Sequence, residues 1–284
     1  MTRASLTLIG ESINDSVPST HALFEANDLA AITGLARSQS ELGADYIDVN
    51  VGPRPAVFMA ELVRAVQTVT PKPLSIDSPD YALAAAGLAA CDPARGIPIL
   101  NSISPLRLEM FDLLQVCRFR PILLASENLR DGTEAPCRTA AETYAAARLL
   151  LETAHSHGLP NDDCIIDPGI APLGADTENN IHRLMGALRL IRDDPAFAGV
   201  HLSVGLSNFT VMLPQRRTNG TPVKLPLANA FLTRAMPLGL DTIIGSAKLA
   251  YSVLPEGHPA LRCFDDCLAL ADFDVLMRVQ EFYS

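Results

Sequence analysis

Six short apolar runs in this chain each end in an acid, amide or hydroxyl side chain, and stretches rich in alanine and leucine separate them. Leu6-Thr7-Leu8-Ile9 leads into Gly10-Glu11-Ser12-Ile13-Asn14, and Tyr46-Ile47 into Asp48-Val49-Asn50. Leu74-Ser75-Ile76 ends in Asp77-Ser78, and Ile97-Pro98-Ile99-Leu100 in Asn101-Ser102. Cys164-Ile165-Ile166 ends in Asp167-Pro168, and Val204-Gly205-Leu206 in Ser207-Asn208. Short apolar runs bounded by turn residues are the mark of strands buried on both faces in a parallel sheet. Strand, polar tip and helix in repetition predict an α/β fold, a TIM (β/α)8 barrel, with an open doubly wound sheet as the alternative. No GxGxxG follows the first strand, which argues against the dinucleotide-binding form of that alternative. A barrel brings the polar tips of distant strands to one rim, where such folds carry their active sites.

The strands are expected at 5–9, 45–49, 74–76, 97–100, 121–125, 164–166, 200–204 and 241–244. Helices are expected near 28–42, 56–69, 80–90, 105–116, 139–157, 178–193 and 225–238. Asn27 is read as a helix cap and Gly43 as a stop, while Pro79 and Pro105 open helices. Residues around Asp15, Ser16 and Pro18 read as a loop, 126–138 as a mobile loop, and 207–220 as a polar loop. The whole chain, 1–284, reads as one domain: a barrel over about 5–250 and an extra helical tail over 251–284.

Composition narrows the setting. No apolar run approaches the ~20 residues that span a bilayer, and the amino terminus enters the first strand without room for a signal peptide; both predict a cytoplasmic protein with no membrane association. A net charge of −10 argues against nucleic acid, whose phosphates need clustered cations. The six cysteines include no CxxC pair. Cys263 and Cys267 share a helix face at i,i+4, yet further ligands are not evident, so they read as buried, reduced thiols. The six histidines form no ligand-like cluster at strand ends, and no metal site is expected.

Asp77, Asn101 and Asp167 follow the third, fourth and sixth strands. Ionised Asp only accepts hydrogen bonds and Asn both gives and receives, so this set suits a planar ring presenting several N–H donors and a carbonyl, such as a reduced pterin. The same acids would also serve as caps for the helices that follow.

The segments Gly10-Glu11-Ser12-Ile13-Asn14, Asp45-Tyr46-Ile47-Asp48-Val49-Asn50-Val51-Gly52, Ser75-Ile76-Asp77-Ser78, Asn101-Ser102, Ile166-Asp167-Pro168 and Gly205-Leu206-Ser207-Asn208 together resemble, in this order, the pterin-binding family. Within it the chain is most similar to methyltetrahydrofolate:corrinoid methyltransferases, including the folate module of cobalamin-dependent methionine synthase. The resemblance implies a dihydropteroate-synthase-like barrel and methyl transfer between N5 of tetrahydrofolate and the cobalt of a corrinoid. It assigns Asp77, Asn101 and Asp167 to the pterin and Asn208 to the neighbourhood of N5. Glu11, Asn14, Asp48, Asn50, Ser207 and Arg216 match positions that line or brace the site, with Arg216 or Arg217 available to the folate carboxylates. No Asp-x-His-x-x-Gly signature for cobalamin is present, so the resemblance implies a corrinoid protein as partner, and a homodimer. The apolar run Phe209–Pro214 is a candidate docking surface or an ordinary core segment. Ser12 replaces an arginine common in the family, and Gly245-Ser246 stands where close relatives carry an acid. A condensing synthase and a folate-binding component without catalysis are the competing readings.

Overall fold

In the computed structural model, which describes residues 6–130 and 132–284, eight parallel strands close into a barrel. They are β1 Thr7–Asn14, β2 Tyr46–Asn50, β3 Leu74–Asp77, β4 Ile99–Ile103, β5 Arg120–Leu124, β8 Ile165–Asp167, β9 His201–Gly205 and β10 Leu240–Gly245. A separate antiparallel hairpin, β6 Glu127–Arg130 with β7 Thr133–Pro136, rises from the rim after β5. Closure is made by β1, which pairs with β10 at Ile9↔Ile244 and with β2 at Ile9↔Tyr46. The barrel therefore stands as expected, and the open sheet is excluded. The proposed start of the first strand at residue 5 lies outside the described residues.

Helices wrap the barrel: α1 Pro18–Glu25, α2 Leu29–Glu41, α3 Ala56–Gln67, α4 Tyr81–Ala90, α5 Ala140–Ser156, α6 Asn180–Asp193, α7 Leu206–Thr210 and α8 Lys224–Ala235. The tail supplies the extra helices α9 Pro259–Ala269 and α10 Phe273–Tyr283. Side chains start several of them. Asp28 accepts from Ala31 N–H at 2.9 Å, Asp80 from Leu83 N–H at 2.9 Å, and Thr139 with Glu142 forms a capping box; such caps stabilise by about 1 kcal/mol each.

Several local expectations need correction. Asp28, not Asn27, caps α2; Asn27 instead takes a left-handed turn (φ 51°) between two helices. Asp15 and Ser16 keep the expected turn, but Pro18 already belongs to α1, in a first-turn position where its missing N–H costs nothing. Pro105 lies in a turn, and the helix after β4 is a 3-10 segment over Leu108–Gln115. The supposed mobile loop 126–138 carries the β6–β7 hairpin, pinned by Arg107–Glu127 (3.0 Å) and Arg130–Glu142 (2.7 Å); its Asp131 lies outside the described residues. The polar loop begins later than expected, since Leu206–Thr210 is helical.

Period-two alternation divides each strand between two environments. Outward residues such as Ile47, Val49, Leu74, Ile76, Leu100 and Leu123 join the large core beneath the helices. Inward, Ile9, Ile99, Ile122, Ile165 and Ile244 form a separate buried cluster across the barrel. β-branched side chains in layers fill barrels of this kind. Each buried isoleucine stabilises the fold by about 2 kcal/mol through the water it excludes. Two residues further along the same strands, the inward positions turn polar: Glu11 above Ile9, Asn101 above Ile99, Asp167 above Ile165. That switch turns the upper end of the barrel into a site.

Candidate active site

Above the isoleucine layer lies a cavity of about 350 Å³, open at the rim. Glu11, Asn14, Asp48, Asp77, Asn101, Asp167 and Asn208 all line it, with Ile122 and Ile244 at its floor. Most of the expected residues thus meet in one place. Of the positions expected to line or brace the site, Asn50, Ser207 and Arg216 do not line this cavity. Asn50 sits behind Asp77 and donates its Nδ2–H to Asp77 Oδ2 at 3.0 Å, while its Oδ1 accepts from Gly52 N–H at 2.9 Å. Ser207 and Arg216 face a neighbouring groove, and the Arg216 guanidinium donates to Gly220 O at 2.7 Å.

The strand register explains the grouping. Asp77 pairs with Asn101 across β3–β4, and Asp48 with Ser75 across β2–β3. The Ser75 hydroxyl donates to Asp48 Oδ1 at 2.6 Å. Asp48 is 1 % exposed, and burial first, then the negative charge of Asp77, pushes its carboxyl well above the ordinary range. A hydrogen bond links Asp48 and Asp77, so the two carboxyls titrate as a pair. Burial raises Asp77 to about 6, while the hydrogen bonds from Asn50 and Asp48 hold it down. Asp77 is therefore mainly a carboxylate at neutral pH, braced by Asn50 and Asp48 where it lines the cavity.

Asp167 is built differently. Its Oδ1 accepts from Gly169 N–H at 2.8 Å and its Oδ2 from the Ser203 hydroxyl at 3.0 Å. Burial lifts it to about 6; those two donors and the charge of Arg183 oppose the rise. Arg183, buried on α6, donates to Pro168 O at 2.6 Å, Gly169 O at 2.8 Å and Thr143 Oγ1 at 3.0 Å. It locks the turn that presents Asp167. Glu11 is also raised, by burial and by Asp77, against a hydrogen bond with Ser207.

Asn208 stands on α7, exposed at the mouth. Its neighbour Phe209 is fully buried and packs against Phe231 of α8 (5.2 Å between ring centroids) and Phe264 of α9 (6.0 Å). The tail helix thus helps to hold the helix that carries Asn208. The run 209–214 is split: Phe209 and Leu213 are core, whereas Val211 and Met212 are 57 % and 63 % exposed.

Ser12 does not face the cavity; its hydroxyl accepts from Gln39 of α2. Gly245 is buried, and a Cβ there would lie 2.6 Å from the Tyr251 hydroxyl. Both departures from the family pattern are therefore accommodated by local packing. Ser203 and Arg183 were missed from sequence. Ser203 occupies an inward position of β9, so alternation could have found it; a single arginine on an amphipathic helix gives no such signal. Among the described residues no group of three or more His, Cys, Asp or Glu is placed to hold a metal ion, and no helix is long and apolar enough to cross a membrane.

Solved structures share this architecture. Dihydropteroate synthase from Xanthomonas albilineans in complex with 7,8-dihydropteroate superposes with a TM-score of 0.58 at 17 % identity, over 95 % of this chain and 96 % of that one. The dihydropteroate synthase of Thermus thermophilus gives 0.57 at 19 % identity, over 94 % and 95 %. At such identities the likeness concerns the fold. The family model for pterin binding enzymes matches residues 13–245, and the chain belongs to that family. Among characterised relatives, it is 26 % identical over 250 residues to the methylcorrinoid:tetrahydrofolate methyltransferase of Eubacterium limosum, across 84 % of each chain.

Proposed function

We propose that this protein transfers a methyl group between N5 of tetrahydrofolate and the cobalt of a corrinoid borne by a separate protein. One observation carries the reading: Asn208 stands at the exposed mouth of the same cavity whose walls hold Asp77, Asn101 and Asp167. The two aspartates accept from the amino group and ring N–H of the pterin, and Asn101 completes the ring edge. That fixes the bicycle with N5 toward the opening, where a second substrate arrives from solvent. The corrinoid protein is that second substrate's carrier; a homodimer and a cytoplasmic location belong to the same proposal.

The chain's own groups have two tasks in the transfer. One is orientation, since in-line attack demands the reacting atoms within about 3.5 Å and aligned. The other is charge. When N5 takes a methyl it gains positive charge and must shed a proton; when it gives one up, it leaves well only after gaining a proton. The Asn208 amide answers both, its oxygen accepting from a protonated N5 and its N–H donating to a neutral one. The carboxylates of Asp77 and Asp167 below add a favourable field for a cationic ring. The name of the Eubacterium limosum relative supports a direction from methylcorrinoid to tetrahydrofolate as part of the same proposal.

A synthase of the kind seen among the structural neighbours is the second reading. The cavity walls hold the carboxyl groups of Glu11, Asp48, Asp77 and Asp167 and no lysine or arginine among the described residues, a poor setting for an anionic leaving group. The deciding assay follows methyl transfer between methyltetrahydrofolate and cob(I)alamin by its visible spectrum. Asn208→Ala is expected to lose about 10²-fold in rate with folate affinity nearly intact. Tight folate binding without turnover, with free or protein-bound corrinoid, would establish a binding-only protein; no folate binding would remove the central reading.

A further inference from the structure

Two glycines line the cavity, and they are glycine for different reasons. Gly169 has φ of 71°, a left-handed turn that strains any side chain. Gly205 has φ of −73° and ψ of 79°, and that φ is open to every residue. What leaves no room for a side chain there is Asn208. A Cβ on Gly205 would stand 3.0 Å from Asn208 Nδ2 and 3.8 Å from its Cγ. Among the described residues, chain neighbours apart, no other atom comes within 4 Å of that point. The Asn208 amide therefore lies against the end of β9. Neither backbone is free to yield. Gly205 is held by its pairing with Ile244 of β10. α7 is held by Phe209, which packs on Phe231 and Phe264, and by the buried Leu206 and Thr210.

We propose that Gly205 is a positioning residue for the methyl transfer: by carrying no side chain it seats the Asn208 amide in one place at the cavity mouth before either substrate arrives. The proposal rests on the transfer chemistry given above, in which Asn208 attends N5. An asparagine at an exposed mouth has several staggered wells to choose from. The bare end of β9 keeps one of them open. With a Cβ at 205 that well closes, because non-bonded heavy atoms need about 3.5 Å. The amide then shifts by about 0.5 Å or swings into another well. A misplacement of about 1 Å costs an aligned reaction about 10²-fold, so the smaller shift should cost about tenfold. An amide already in place needs no reorganisation at the moment of transfer.

The test compares wild type, Gly205→Ala, Asn208→Ala and the double variant in methyl transfer, methyltetrahydrofolate affinity and thermal unfolding. Nitrogen-15 NMR of the ligand-free proteins adds the side-chain amide signal of Asn208, identified by its absence in Asn208→Ala. Gly205→Ala is expected to lower kcat about tenfold with folate affinity nearly intact. It should unfold at or above the wild-type temperature, since alanine restricts the unfolded chain at a φ it adopts freely. On the Asn208→Ala background it should cost nothing more, because the contact is already gone. The amide signal should shift in Gly205→Ala with no ligand present. An unmoved signal would overturn the seat itself. Full kcat in Gly205→Ala, or a further loss on the Asn208→Ala background, would overturn its part in the transfer. A loss confined to folate affinity would do the same and leave Gly205 as a plain wall of the pterin site. A wild type that binds no folate would remove the proposed function and the catalytic role together, while the amide signal still decides the seat.

Discussion

Replacing Asp167 by Asn should make the ligand-free protein more stable at neutral pH while crippling it. Asp167 is 5 % exposed, and burial raises its carboxyl from 3.8 to about 6. Holding it ionised in the native state costs about 3 kcal/mol relative to the unfolded chain. Asn fits the same place: its oxygen accepts from Gly169 N–H and its amide N–H donates to Ser203 Oγ, which has lone pairs to spare. The attraction of Arg183 opposes the rise and is already contained in the net value. The sign follows from proton binding. Below pH 3.8 the carboxyl is protonated in both states and the charge costs nothing. Between 3.8 and about 6 the native state holds a proton that the unfolded state has released, so wild-type stability falls as pH rises, and above that range the loss is complete. Thermal unfolding of the free protein should therefore show Asp167→Asn about 5 °C above wild type at about pH 8, with the gap closing toward about pH 4. Pterin affinity should fall about 10- to 100-fold, the worth of a charged hydrogen bond. A variant less stable than wild type at alkaline pH, or a gap independent of pH, would refute the reasoning.

Other perturbations probe neighbouring parts. Gly169 has φ of 71°, and a Cβ there would collide with the Ser126 side chain; Gly169→Ala should cost about 2 kcal/mol by denaturant unfolding and weaken pterin binding by displacing the N–H that orients Asp167. Gly245→Asp, the acid of close relatives, should lower stability by about 2 kcal/mol or more, since it meets Tyr251 in a buried place; unchanged stability and kinetics would show that Tyr251 moves freely. Under the proposed binding mode the pterin N–H groups need the ionised form of Asp77, raised to about 6, so affinity should climb as the pH rises through that value and then level, with protons released on binding in calorimetry. A flat profile would place the ring elsewhere.

The grouping of polar residues around the cavity was legible because two sequence signals coincide on it: short apolar runs, and polar residues two positions beyond an inward isoleucine. Ile9-Glu11, Ile99-Asn101 and Ile165-Asp167 all follow that rule. The apolar run before it put Asn208 among the polar tips, but the resemblance alone suggested its role, since α7 has only five residues and too little length for a periodicity. The hairpin Glu127–Pro136 escaped because neither strand has an apolar face, and ion pairs to α5 and the loop after β4 hold it instead. The sequence left open whether Asn50 and Arg216 line the cavity or brace it. A one-residue change of direction separates lining a cavity from bracing it, and sequence does not encode that angle.

The isoleucine layer across the barrel, at most 8 % exposed at any member, makes the site a room with one door. Water and protons reach it through the same opening. Under the proposed chemistry the folate lies deeper than the corrinoid, so the kinetics have a compulsory order: folate enters first, the carrier protein closes the door, and product leaves only after the carrier does. Excess carrier protein should then slow turnover by trapping folate inside, and the dwell time of the carrier sets the pace of the cycle.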